Sequence, residues 1–500
     1  MGVHVGTPTS HRKAAMILDL ATLQRALGPH LLAAPAAALP PATGVRFHSD
    51  RVRPGDAFFA LQGAATHGVR FADDALARGA AYVVSDRPHP GAVLVDDAGA
   101  ALLALGRAAR ADRSGPVIGI TGSAGKTTTK GLLAAALDAP ASPGNLNTPH
   151  ALATVLVDRW LAGDGARPLV LELGVDRRGD MALLTELVRP THGIVTLVAP
   201  AHLQGLGDLA GVAREKGALL RAATTARYAS EAAWARLPDD LRAGVRRYRV
   251  DPQAGDASGA DGAASDGDAG ATAVGRHLVR DDGEWLHATL GGEAVELALP
   301  GAGRAFAENA LAALVVATDL GVPARTAADR MRRAHIEAGR LTPIALGDLR
   351  ILDDTYNANP AAVAAALEVL ARAPRPHALV MGSMLELGDA SRDFHREAGR
   401  AIAEHGVDLV WTVGADAAAI ADTCDVARHF ADARGAAAAA DDLPRRGTLL
   451  VKGSRGIGLE AVVAALRTSR GPAAEPPVET SAEPRPGRPP GAAEEREARP

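Results

Sequence analysis

Residues Gly119 to Lys130 read Gly-Ile-Thr-Gly-Ser-Ala-Gly-Lys-Thr-Thr-Thr-Lys. They follow the apolar run Pro116-Val117-Ile118 and precede Gly131-Leu-Leu-Ala-Ala-Ala-Leu137, a helical run. A strand, a glycine-rich turn and a helix start make a phosphate cradle, because backbone N–H groups and the helix dipole point at the anion. Thr121, Gly122, Ser123, Ala124, Gly125 and Thr128 are the candidate loop contacts. Lys126 adds a charge for the distal phosphates, and the Thr127 hydroxyl can ligate Mg²⁺. The strict pattern wants a further glycine where Ile120 stands, so Gly122 and Gly125 do the turning. An ordinary strand-to-helix turn is the competing reading, but it leaves Gly-Lys-Thr-Thr without a purpose.

Other polar residues fall just beyond apolar runs, where open α/β sheets gather ligands. Glu172 closes the run Pro168 to Leu173, and a carboxylate beside a phosphate loop is a good Mg²⁺ ligand. A capping or salt-bridged glutamate is the plainer alternative. His202 follows Leu197-Val-Ala-Pro-Ala, and Lys216 lies in Val212-Ala-Arg-Glu-Lys-Gly217. Alone, His202 reads as a structural histidine and Lys216 as a solvated helix lysine. The run Asp353-Asp354-Thr355-Tyr356-Asn357-Ala358-Asn359-Pro360 puts two acids at a strand end ahead of an Asn-Pro turn, a binding-loop composition.

The elements that must hold these residues alternate between apolar strands and helices. Near-continuous apolar strands separated by helices imply a parallel sheet covered on both faces. The chain of 500 residues divides into three α/β blocks. Residues 16–111 form a small N-terminal domain, 112–335 a central domain of P-loop type with a parallel sheet, and 336–469 a Rossmann-like C-terminal domain. Residues 1–15 read as a disordered leader, with Met16 as a possible true start. Residues 251–275 read as a disordered loop, and 470–500 as a disordered tail, for want of apolar side chains.

Composition narrows the function. A net charge of -4 gives no general pull toward nucleic acid or anionic membrane. The hydrophobic fraction is 47% with only 3% aromatic, so alanine-rich, helix-rich aliphatic cores are expected. The single cysteine, Cys424, excludes an internal disulfide framework and fits a reducing cytoplasm. No apolar run reaches the ~20 residues that span a bilayer.

Together the motifs resemble the Mur ligases of peptidoglycan synthesis. The resemblance is carried by the phosphate loop, Leu171-Glu-Leu-Gly174, Ala199-Pro-Ala-His-Leu203, Ala213-Arg-Glu-Lys-Gly217, Asp353 to Pro360, Met384-Leu-Glu-Leu-Gly388 and Val451-Lys-Gly-Ser-Arg455. It covers roughly residues 45–465, and Tyr356-Asn-Ala-Asn-Pro360 points to the branch that adds D-Ala-D-Ala to UDP-N-acetylmuramoyl-tripeptide. What it implies is a monomeric cytoplasmic ligase that uses ATP and two Mg²⁺ ions, with no nucleic acid and no membrane insertion. By resemblance, Lys126 holds the terminal phosphates, and Thr127 and Glu172 hold the first ion. His202 and a carbamylated Lys216 hold the second. Asn309 matches an adenine-side position, Arg340 a phosphate-reaching arginine, and Asp354 a ribose contact. Ser49, Asp50, Arg51, Asn145 and Asn147 match the UDP-muramoyl side, and Tyr356, Asn357, Asn359, Lys452 and Ser454 the side of the incoming amine.

Several positions depart from the family pattern. Ser49-Asp50-Arg51 stands for Asp-Ser-Arg, His67-Gly68-Val69 for Asp-Gly-His, and Gly382-Ser383-Met384 for Gly-Asp-Met. The alternatives are an amino-acid-adding Mur ligase, a folylpolyglutamate- or cyanophycin-type ligase, and a nucleotide-binding scaffold without activity.

Overall fold

A computed structural model describes residues 17–35, 38–251, 272–280 and 283–471. The expected leader at 1–15, Met16, most of the expected loop at 251–275 and nearly all of the expected tail lie outside these residues. Three sheets, one per expected block, organise the described chain. The first contains the strands Leu31–Ala33, Gly44–Arg46, Asp56–Ala60, Tyr82–Ser85 and Val93–Val95. Its helix Ala98–Ala111 packs on Pro149–Leu161 of the central domain, and the approach needs glycine: a Cβ on Gly106 would lie 2.8 Å from that of Ala153.

The central sheet has eight strands. Leu169–Glu172, Val117–Thr121, His192–Val195, Ala226–Ser230, Val245–Asp251 and Thr272–Arg280 run parallel in that order. Beyond the parallel part expected from sequence, Gly283–Leu290 and Glu293–Ala298 extend the edge as an antiparallel hairpin. Gly291 and Gly292 turn it at φ 56° and 76°, a two-residue connection that allows only antiparallel pairing. The 251–275 reading needs correction at both ends. Asp251 ends one strand, and Thr272 to Gly275 begin the next, because their short side chains fit in register beside Arg247 to Val250. At the C-terminus the helix Glu460–Arg470 runs one residue into the expected tail.

Alanine supplies much of the core. In Arg304–Asp319 the buried positions include Ala307, Ala310, Ala312, Ala313 and Ala317, which lets this helix lie close on Lys126–Leu137. The third sheet orders Thr342–Leu346, Leu349–Asp354, Gly447–Lys452, His377–Gly382, Leu409–Val413 and Arg428–Phe430, with only the first strand antiparallel. Its carboxyl ends face the phosphate loop. Asn359 joins the two domains: its Oδ1 accepts from Ala362 N–H at 2.9 Å, capping helix Pro360–Arg372, while its Nδ2 donates to Ser123 O at 2.9 Å.

Asn359→Ala removes a helix cap and this bridge, together about 2 kcal/mol. Asp432→Ala removes only the cap of Ala433–Ala438, about 1 kcal/mol. Thermal unfolding of both variants should show the larger loss at Asn359; equal losses would mean that the bridge to Ser123 contributes nothing.

Candidate active site

The strand Val117–Thr121 delivers the chain into the phosphate loop, and helix Lys126–Leu137 takes it away. Gly125 sits between them at φ 82°, and a Cβ there would stand 2.3 Å from Oδ1 of Asn309. Only glycine lets the loop rest on the alanine-rich helix. Asn309 Oδ1 also accepts from the Thr129 hydroxyl at 3.2 Å. The Ser123 hydroxyl donates to Ala199 O at 2.7 Å and accepts from Ala199 N–H at 3.0 Å, which fixes the first half of the loop. Thr121 is buried below, its hydroxyl donating to Leu173 O at 2.9 Å.

A cavity of about 270 Å³ lies between this loop and the C-terminal domain. Gly122 is the carbonyl against which Lys126 folds, with Nζ donating at 2.8 Å. Lys126 is half-buried, and desolvation pushes its pKa down, with Glu172 opposing the shift and Arg340 adding to it. Glu172 closes Leu169–Glu172 one strand away, paired with Ile120. Its Oε2 accepts from the Thr127 hydroxyl at 2.8 Å and its Oε1 from Asn147 Nδ2 at 3.2 Å. Burial alone would raise the Glu172 pKa, but the Lys126 and Lys130 cations and the Thr127 bond hold it below the usual carboxylate range. Lys130 Nζ lies 3.5 Å from both Glu172 and Glu337.

Arg340 reaches this cluster from the start of the C-terminal domain. Its Nη2 donates to Thr127 Oγ1 at 2.8 Å, and its guanidinium lies 3.8 Å from the centre of the Tyr356 ring. Its Nε is buried without a hydrogen-bond partner. Thr127 is thus held between an anion in its own domain and a cation from the next. Asp354 is buried nearby, with Oδ2 accepting from Lys452 Nζ at 2.5 Å and Oδ1 from Leu341 N–H at 3.3 Å. Lys452 also donates to Asn357 O at 3.1 Å. Ser454 Oγ accepts from Leu385 N–H at 2.9 Å.

His202 lines the same cavity, precedes the short helix Leu203–Leu206 without a side-chain cap and has φ 52°. Its Nδ1 lies 3.2 Å from Asp176 Oδ1 and 2.5 Å from Glu386 Oε2. Lys216 is buried on Leu209–Ala222, and desolvation with the nearby Lys126 charge drives its pKa down to about 7. A buried amine so close to neutrality is no solvated helix lysine.

Among the described residues, no three His, Cys, Asp or Glu side chains converge as a metal cage. The donors still suit Mg²⁺, which commonly takes one or two protein oxygens and completes its shell with phosphate and water. Thr127 Oγ1 and Glu172 Oε2 stand 2.8 Å apart beside the phosphate loop.

The structure therefore brings together Thr121, Gly122, Ser123, Ala124, Gly125, Lys126, Thr127, Thr128, Asn147, Glu172, His202, Asn309, Arg340, Asp354, Tyr356, Asn357, Asn359 and Lys452 at or beneath one cavity. Lys216 stands behind it and Ser454 at its edge. Asn145 lies outside, exposed on the loop before Pro149–Leu161. Ser49, Asp50 and Arg51 form a single 3-10 turn in the N-terminal domain, also apart from it. Asp176, Glu337 and the Arg340–Tyr356 stack escaped sequence reading because each depends on contacts between distant segments.

The description "Mur ligase family, catalytic domain" matches residues 41–111, "Mur ligase middle domain" 120–317 and "Mur ligase, glutamate ligase domain" 339–455. The UDP-N-acetylmuramoyl-tripeptide--D-alanyl-D-alanine ligase of Escherichia coli (strain K12) is 32% identical over 433 residues, covering 83% of this chain and 92% of its own. The enzyme of the same name from Bacillus subtilis (strain 168) is 29% identical over 441 residues, covering 84% and 92%. Among solved structures, MurF from Acinetobacter baumannii superposes with a TM-score of 0.76 at 25% identity, over 91% of this chain and 99% of its own. MurF from Thermotoga maritima in complex with ADP gives a TM-score of 0.69 at 25% identity, over 85% and 97%.

The chain belongs to the Mur ligase family. Relatives and solved structures agree on the branch: it is a Mur ligase of the MurF type.

Lys216 supplies a prediction in pH. Its folded pKa of about 7 lies below the ordinary lysine value of 10.5. Folding therefore releases a proton between these limits, and stability falls as pH drops through them. Lys216→Met should gain in thermal midpoint over the parent at pH 7, and that gain should shrink toward pH 10. A pH-independent difference would contradict the burial of a neutral amine.

Proposed function

We propose that the chain joins D-Ala-D-Ala to the terminal carboxylate of a UDP-N-acetylmuramoyl-tripeptide, with ATP converted to ADP and phosphate. One observation carries the reading. The phosphate loop is roofed by the C-terminal domain, through Arg340 on Thr127 and Asn359 on Ser123. A cavity so divided between two domains suits a reaction that phosphorylates the carboxylate of one substrate and then passes the activated acyl group to the amine of another, with phosphate leaving. The names and structures of the relatives support the choice of substrates.

In this reading the loop backbone and Lys126 hold the β- and γ-phosphates, and Asn309 supports the loop from the adenine side. Thr127 and Glu172 would hold one Mg²⁺ and His202 and Lys216 would hold a second, and ions bound there would supply charge neutralisation for the transfer. The Arg340 guanidinium moves from Thr127 to phosphate, guided by the face of Tyr356. The acceptor carboxylate attacks the γ-phosphorus, and the bond to the β-phosphate oxygen breaks. The amine then attacks the acyl carbon, loses a proton, and phosphate departs. Closure of the C-terminal domain excludes water from the activated acid.

Lys216, whose pKa lies at about 7, has a substantial neutral fraction there that is able to add CO₂ and, on losing a proton to solvent, become a carbamate anion, which would make it an oxygen ligand for the second ion. Asp354, already bound to Lys452, turns its remaining acceptor capacity toward ribose. Ser49, Asp50 and Arg51 serve the uridine end, and Asn145 and Asn147 the muramoyl side. Asn357, Asn359, Lys452 and Ser454 frame the entry of the dipeptide. Substrates of this kind place the enzyme in the cytoplasm, and it acts as a monomer. No described helix is long and apolar enough to cross a membrane.

ADP release should require both UDP-muramoyl-tripeptide and D-Ala-D-Ala, with a pentapeptide product seen by mass spectrometry. Equal turnover with UDP-muramoyl-dipeptide and a single diamino acid would move the chain to the amino-acid-adding branch. Glutamate-dependent turnover on a folate would move it further. Arg340→Lys keeps the charge but loses the planar fork and the stacked face, so kcat should fall about 100-fold with little change in the Kd for ADP. A kcat within threefold of the parent would remove Arg340 from the transfer step.

A further inference from the structure

The motif Met384-Leu-Glu-Leu-Gly388 has no part in the chemistry so far, yet it leaves the C-terminal domain and touches the central one. Gln204 N–H donates to Glu386 O at 3.3 Å. A Cβ on Gly388 would lie 3.8 Å from Gln204 N, so the segment runs along the start of helix Leu203–Leu206. Glu386 has φ 66°, and the residue it faces, His202, has φ 52°. Positive φ is uncommon outside glycine and persists where surrounding contacts enforce it. Here two such residues, one from each domain, meet side chain to side chain.

The meeting is specific to one ring nitrogen. Glu386 Oε2 lies 2.5 Å from His202 Nδ1, with Asp176 Oδ1 at 3.2 Å. Nδ1 is buried and without an aligned hydrogen bond, so the imidazole sits between two carboxylates that compete for it. Nε2 is the nitrogen left for a ligand, and His202 lines the nucleotide cavity. A histidine that serves a metal through one nitrogen is normally held through the other by a carboxylate or carbonyl, which fixes ring orientation and tautomer.

We propose that Glu386 is a positioning residue for His202, supplied across the domain boundary, so that the second metal position is fully built only when the C-terminal domain is docked. This rests on His202 acting as a metal ligand in the ligase reading. It gives the docking of the amine-side domain a direct route to the phosphate site. Asp176, in the central domain, orients the ring before docking, and Glu386 completes the clamp. The Glu386 side chain is 55% exposed, so its replacement leaves the core intact.

The test uses the full chain as parent, Glu386→Gln, Glu386→Ala, His202→Ala and the Glu386→Ala/His202→Ala pair. Mn²⁺ binding in the presence of ADP is followed by electron paramagnetic resonance, and compaction on ADP addition by small-angle scattering. Steady-state turnover is measured alongside. Glu386→Ala should weaken the second Mn²⁺ about tenfold or more and lower kcat more than it raises KM for D-Ala-D-Ala. Glu386→Gln, which keeps an acceptor for Nδ1–H, should retain most of the affinity. In the His202→Ala background, loss of Glu386 should cost nothing further in Mn²⁺ binding. Parental Mn²⁺ affinity in Glu386→Ala, or an equal loss with and without His202, overturns the proposal. Glu386→Thr replaces the alanine variant should its thermal midpoint show misfolding. A parent without amine-dependent turnover overturns the ligase reading instead, and the Mn²⁺ titration then decides the Glu386 assignment alone.

Discussion

A carboxylate oxygen reaches a phosphorus atom only if the repulsion between two anions is offset where they meet. Two unit charges 4 Å apart interact by about 4 kcal/mol at an effective dielectric constant near 20, so several fixed cations are needed. Glu172 makes the demand greater, because it adds a buried carboxylate to a site that must also hold a triphosphate. Lys126, Lys130 and Arg340 surround it, and together they hold the Glu172 carboxyl below its ordinary range. The cations come from the phosphate-loop helix and from the following domain, so the balance of charge is complete only with both in place.

That requirement explains the architecture around the loop. Gly125 lets the loop close on the Asn309 side chain, and the alanine face of Arg304–Asp319 brings that helix near, which leaves space for phosphate. The carboxyl ends of the third sheet then close over the opening, and Asn359 spends its two polar groups on its own helix and on Ser123. Arg340 bridges Thr127 and Tyr356, one in each domain. A small rotation of the C-terminal domain would alter all of these contacts at once. Such a site is well suited to keep water from an activated acid until the amine is present.

Much of this was legible in the residues themselves. The phosphate loop carries its own grammar, and near-continuous apolar strands announced a parallel sheet. The position of Glu172 beside the loop, though not its role, could be read because a strand end has a fixed position relative to its neighbour. Other features were not legible. The hairpin at the sheet edge is marked by the turn Gly291-Gly292, but that turn does not show which sheet its strands extend, and Thr272 to Gly275 are too small to signal a strand without their partner. The pairing of Asp354 with Lys452 and the meeting of His202 with Glu386 join segments far apart in sequence. Lys216 shows the limit most clearly: its helix reads as ordinary, and only burial near Lys126 gives it an unusual amine.

The central claim is that the γ-phosphoryl group passes to the acceptor carboxylate and not to water. It is tested by supplying UDP-muramoyl-tripeptide labelled with ¹⁸O in that carboxylate and analysing the released phosphate by mass spectrometry. The account predicts one labelled oxygen in each phosphate formed with D-Ala-D-Ala. Unlabelled phosphate from this substrate, with label entering only from ¹⁸O water, would contradict it.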